Sequence, residues 1–95
     1  MHYRITKVQH EPGKREDIIA YLKTKNEDIK SIEGLQSVRM IAISETKSIA
    51  ISKYENEQQL TMAEEKFKEI MVGMMPFMTA PPEVHNGDEC WSMKK

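Results

Sequence analysis

Two apolar runs only three residues apart constrain this chain more than any other feature. Leu35–Ser44 reads Leu-Gln-Ser-Val-Arg-Met-Ile-Ala-Ile-Ser, and Ser48–Tyr54 reads Ser-Ile-Ala-Ile-Ser-Lys-Tyr. Glu45-Thr46-Lys47 separates them, so the two strands they predict must pair antiparallel; a parallel crossover takes a dozen residues or more. Successive strand side chains point to opposite faces. One alternating set holds Leu35, Ile41, Ile43, Ile49 and Ile51, and the other holds Val38, Met40, Ala42 and Ala50. A sheet built on this hairpin is apolar on both faces, and each face needs a cover.

The flanking segments supply one cover. Residues 3–8 alternate with a period of two, and Glu11-Pro12-Gly13 ends that strand. Ile18, Ile19, Leu22 and Ile29 then recur at helical spacing among charged residues, predicting an amphipathic helix from about Lys14 to Lys30, with Ser31–Gly34 as a connecting turn. Asn56 followed by Gln59 has the spacing of a helix N-cap. Leu60, Ala63, Phe67, Ile70, Met71, Met74 and Met78 form the stripe of a second helix, and Pro76 ends or kinks it near Met74–Met75. Thr79-Ala80-Pro81-Pro82 forces an extended connection. His85–Asp88 reads as a turn or bulge, and Glu89–Met93 as the last strand. The order β-α-β-β-α-β gives an α+β fold over 1–95 as a single domain: a ferredoxin-like, four-stranded antiparallel sheet with two helices on one face.

The isoleucine set, which includes Arg39, is assigned to the helix-covered face. Val38, Met40, Ala42 and Ala50 then lie uncovered, and leaving them in water forfeits several kcal/mol at about 25 cal/mol per Å². A 95-residue chain has a small core and little stability to lose. A second copy packed sheet to sheet about a two-fold axis removes the problem, so a homodimer through the sheet face is expected.

Other classes fall away. Lys and Arg total 14 against 15 Asp and Glu, so no net field favours nucleic acid or an anionic membrane. No apolar run approaches the ~20 residues of a membrane helix. Residues 1–7 lack the pattern of a signal peptide, and Cys90 is the only cysteine. A cytoplasmic location is the expectation. Phosphate-loop, dinucleotide and nucleophile-elbow motifs are absent.

Few residues offer chemistry. His2, His10 and His85 lack metal-ligand spacing and read as solvated strand-end histidines, so no metal is expected; His85 is a candidate general base if it faces a pocket. Cys90 reads as a small core residue. Phe67, Met71, Met74 and Met78 form either plain core or the adaptable wall of an apolar pocket between the second helix and the sheet. Tyr54 and Trp91 carry polar tips that need partners when buried. Arg39, set in an apolar strand, must reach water, a carboxylate or a ligand.

Gly34-Leu35-Gln36-Ser37-Val38-Arg39 after the first helix, Ser52-Lys53-Tyr54-Glu55-Asn56-Glu57 opening the second, and Pro81-Pro82-Glu83-Val84 before a Trp-containing end resemble the antibiotic biosynthesis monooxygenase superfamily. The resemblance covers essentially the whole chain and implies a dimeric α+β barrel. It implies either oxidation of aromatic molecules without metal or flavin or, in other members, haem degradation. Haem-degrading members carry an Asn on the first strand and a Trp and a ligating His on or after the second helix. Here the first strand reads Ile5-Thr6-Lys7-Val8-Gln9, and residues 56–78 contain neither Trp nor His. The expectation is thus a cofactor-independent, monooxygenase-like protein holding a small hydrophobic or aromatic molecule between the second helix and the sheet, with Tyr54, Trp91, Arg39 and His85 as the candidate catalytic residues. The alternative is a non-catalytic small-ligand-binding or regulatory dimeric domain.

Overall fold

A computed structural model describes residues 1–95. The chain forms β1 (His2–Gln9), α1 (Lys14–Thr24), α2 (Asn26–Lys30), β2 (Leu35–Ser44), β3 (Lys47–Tyr54), α3 (Glu57–Met62), α4 (Glu64–Met74), a single 3₁₀ turn (Met75–Phe77) and β4 (Glu83–Asp88). The strands make one antiparallel sheet in the order β2-β3-β1-β4, the ferredoxin-like arrangement read from the sequence. The expected first helix is broken at Lys25, and the expected second at Ala63, where the backbone leaves helical geometry. Asn56 caps α3 as expected, its Oδ1 accepting from the Gln59 N–H at 2.9 Å. Pro76 falls just past α4, inside the 3₁₀ turn.

The last strand differs from expectation. It spans Glu83–Asp88, while Glu89–Met93 lies outside any strand. Asn86-Gly87-Asp88 has turn composition, but register decides: β4 pairs along β1 from Lys7↔Glu83 to His2↔Asp88, and His2 Nδ1 and Asp88 Oδ1 close the end at 2.6 Å. Cys90, expected in the core, is exposed.

The two sheet faces are the reverse of the expected assignment. In β1, His2, Arg4, Thr6 and Val8 are buried beneath the helices. The register puts Val38, Ser52, Arg4 and Asn86 in one row on this side, and Met40, Ala50, Thr6 and Val84 in the next. The uncovered face carries the row Arg39, Ile51, Ile5 and His85, and the row Ile41, Ile49, Lys7 and Glu83. Leu35 belongs with the helices, because the register shifts between Leu35 and Ser37; it packs against Tyr54, Leu60 and Ala63. Both sets are apolar, so side-chain size did not distinguish the faces. The smaller set lies inside, where helices stand over it.

The core has two parts. Val8, Ile18 and Met74 form one, joined by Tyr21, Met40, Met71 and Met78; Tyr54, Leu60 and Ala63 form the other. Helices α1 and α4 approach closely at Gly73, where an added Cβ would lie 1.9 Å from the Tyr21 hydroxyl oxygen. That hydroxyl donates to the Ile70 carbonyl at 3.0 Å. No helix is long and apolar enough to cross a membrane.

A candidate ligand cleft between helices and sheet

Between the two core clusters the helices do not reach the sheet. Thr6, Ala50 and Ser52 occupy neighbouring positions on β1 and β3, and their short side chains make a low floor. Leu22 from α1, Ile29 from α2, Ile32 from the turn after it, and Phe67, Ile70, Met71 and Met74 from α4 form the walls. The cleft measures about 70 Å³ and is partly open to solvent. Val38, 44% exposed, stands on the edge strand as part of the mouth. The lining is almost wholly hydrophobic, and its one titratable residue is Tyr54.

Tyr54 is buried, and burial pushes its hydroxyl above the usual tyrosine value; the Arg4 charge opposes that rise and Glu64 adds to it. The hydroxyl is therefore protonated near neutral pH. It accepts from Arg4 Nη1 at 3.5 Å, and its own proton has no acceptor in the protein. Tyr54 thus lines the cleft as a neutral side chain whose O–H, beside Arg4, is a free donor.

The expected site residues separate. Tyr54, Phe67, Met71 and Met74 line the cleft. Met78 is not part of the lining and packs into the Val8–Ile18–Met74 core. Arg39 is exposed on the uncovered sheet face, opposite Ile51, so its expected helix-side position is corrected. His85 is also exposed on that face and bonded to Glu83 Oε1 at 2.9 Å, away from the cleft. Trp91, expected in the last strand, is 75% exposed beyond the end of β4.

Three buried polar side chains escaped the sequence reading: Arg4, His10, and His2, which was expected to be solvated and is buried with its Nδ1 on Asp88. Arg4 is fully buried beneath the helices. Its Nη2 donates to Glu64 Oε2 at 2.6 Å and to the Leu60 carbonyl at 3.4 Å, and its guanidinium carbon lies 3.8 Å from the Phe67 ring centre. The available signal was its place in alternation with Thr6 and Val8, both of which fit a covered face. His10, expected to be solvated, is also buried. Its Nδ1 meets the Glu11 carbonyl at 3.0 Å and its Nε2 meets Ser48 Oγ at 2.9 Å, while Arg15 Nε donates to the same Oγ at 2.7 Å. A carbonyl only accepts, so Nδ1 carries a proton, and in the neutral ring Ser48 donates to Nε2. This satisfied relay ties the start of α1 to the β2–β3 turn, outside the cleft. Groups of three or more His, Cys, Asp or Glu positioned to hold a metal ion are absent.

No protein-family model matches the sequence, and neither does any curated protein. Solved structures do match in fold. A monooxygenase of Streptomyces coelicolor, solved with nanaomycin D, superposes with a TM-score of 0.80 at 15% identity, covering 99% of this chain and 91% of that one. A Nitrosomonas europaea protein provisionally described as an antibiotic biosynthesis monooxygenase gives 0.77 at 13% identity, covering 96% and 100%. A second N. europaea protein, described as of unknown function, gives 0.76 at 9% identity, covering 99% and 93%. The chain has the fold of the antibiotic biosynthesis monooxygenases, as its sequence resemblance implied.

Proposed function

We propose that this chain is a monooxygenase-like homodimer that takes a small, flat hydrophobic or aromatic molecule into the cleft beneath α4 and promotes its reaction with O₂ without metal or flavin. The observation carrying this reading is the cleft itself: a low floor of Thr6, Ala50 and Ser52, apolar walls, and one protonated Tyr54 hydroxyl. Such a site excludes water and orients an electron-rich substrate, which then reacts with oxygen through its own chemistry. Tyr54 holds a ligand oxygen, and the methionines of α4 adapt to the ring system. The fold shared with the S. coelicolor monooxygenase supports the reaction class.

The dimer forms through the uncovered face. Ile5, Ile41 and Ile43 are 37%, 43% and 55% exposed there, in a contiguous patch with half-buried Ile49 and Ile51. A two-fold axis through such a patch buries it against its own copy.

Oxygen uptake with a panel of hydroxynaphthalenes and anthrones tests the enzymatic reading. Turnover that falls in a Tyr54→Phe variant and persists in metal-stripped protein supports it. A lining whose one titratable residue is Tyr54 favours one other reading, a ligand-binding domain without turnover. Saturable binding that raises the melting temperature, with the ligand recovered unchanged, selects that reading.

A further inference from the structure

We propose that Arg4 makes the inner end of this cleft an anion-recognition pole, so that the ligand is a flat apolar molecule bearing one anionic oxygen group. The inference rests on the cleft reading above and adds the charge of the ligand to it. An arginine has five N–H donors. Three are used here: Nη1 toward Tyr54, and Nη2 toward Glu64 and Leu60. The Nε–H is buried with no partner at all. Buried donors of a cation are costly to leave unmade, and their position gives them a use. Tyr54 and Phe67, two of the groups touching the guanidinium, are walls of the cleft, and Ser52, the register partner of Arg4, is part of its floor. Arg4 is not itself part of the lining; Tyr54 and Phe67 touch it on one side and line the apolar space on the other. A ligand whose ring lies along the α4 methionines and whose charged oxygen enters between Tyr54 and Phe67 meets the unused Nε–H.

The charge balance points the same way. The one carboxylate on Arg4 is Glu64, whose side chain is 41% exposed and so shares its charge with water. A second anion at Nε therefore joins a cation that a single partly solvated partner leaves incompletely compensated.

Calorimetric titration of the full chain with 2-naphthoate and its neutral isostere 2-naphthylmethanol tests the proposal. The expected result is naphthoate binding at least about tenfold tighter, as for a charge-assisted hydrogen bond. In Arg4→Met the ratio of the two affinities falls to about one, whatever happens to the alcohol's own affinity, and Tyr54→Phe weakens both. Equal affinity for the two probes in the wild-type chain overturns the anion pole and leaves the apolar cleft standing. Binding of neither overturns both. A preference that survives in Arg4→Met places the anion elsewhere and also overturns it. The wild-type comparison decides even if the Arg4 variant fails to fold.

Discussion

The Arg4 guanidinium carbon lies 3.8 Å from the centre of the Phe67 ring, so a charge on the central strand β1 is held against an aromatic face on α4. The same Arg4 is bonded at 2.6 Å to Glu64, three residues earlier on the same helix. One buried cation thus fixes α4 over the sheet at two points spaced by about a helical turn.

Removing either point loosens α4, by different amounts. Glu64→Gln leaves a buried cation without its counter-charge, which costs toward the lower end of about 3–5 kcal/mol because Glu64 is partly solvated. Phe67→Leu keeps the apolar contact and loses the cation–ring attraction, about 1–2 kcal/mol. Urea unfolding of both single variants and the double variant measures them. The two losses couple through Arg4, so additivity within experimental error would refute a shared anchor.

The uncovered face, and not the helix side, should govern association. Ile51→Asp places a charge among the exposed isoleucines, where an unpaired buried charge weakens the dimer at least about a hundredfold. Val38→Asp puts its charge at the mouth of the cleft and leaves the mass in solution unchanged. Light scattering at tens of micromolar distinguishes them: wild type and Val38→Asp dimeric, Ile51→Asp monomeric or insoluble. A monomeric wild type refutes the interface.

Gly73→Ala should destabilise, although alanine is the better helix former by about 1 kcal/mol. The new methyl collides with the Tyr21 ring, whose three nearest atoms lie within 2.7 Å of it, and such overpacking costs about 1–3 kcal/mol. Thermal melting shows a lower midpoint for Gly73→Ala. The penalty shrinks in a Tyr21→Ala background, where the propensity gain remains without the collision.

Alkaline and acid limbs have separate origins. Burial raises Tyr54, and a bond to Glu89 raises Tyr3, so the folded chain holds both protons more tightly than the unfolded one. Their contribution is complete below the ordinary tyrosine value near 10 and is lost as pH rises through the higher folded values. At the other end, His2 lowers Asp88 and His85 lowers Glu83. These contributions are present above the ordinary carboxylate values and vanish as pH falls through the lowered ones. Phenolate absorbance near 295 nm, followed against pH, should lose a late-titrating component in Tyr54→Phe. Asp88→Asn should flatten the acid limb of the melting curve.

The fold was legible because its strongest signals are local. The three-residue gap at Glu45–Lys47 forces a hairpin, Asn56 and Gln59 mark a helix start, and Pro76 marks an end. The faces were not legible, because both alternating sets of β2 and β3 are apolar and only the helices decide which is covered. The site suffered from that ambiguity: it drew Arg39 inward, while Arg4, in a strand with fewer large apolar residues, drew no assignment. Phe67, Met71 and Met74 stand together on the cleft because helical spacing put them on one stripe of the second helix, and Tyr54 joins them only because the covered face is the reverse of the one read from the sequence. Glu83–Asp88 was missed because long-range pairing with β1 overrides the turn composition of Asn86-Gly87-Asp88.

The alanine at position 50 sets a trade for anyone redesigning this protein. Two further methyl groups on the cleft floor, which Ala50 helps to form, would stabilise by at most about 0.8 kcal/mol each if buried, and in a domain of this length each kcal/mol moves the melting point by about 4–8 °C. Ala50→Val is thus a short route to a more heat-resistant chain. The same methyl groups would stand where a guest ring has to lie, so thermal hardiness and capacity for a guest are set against each other at one position of one strand.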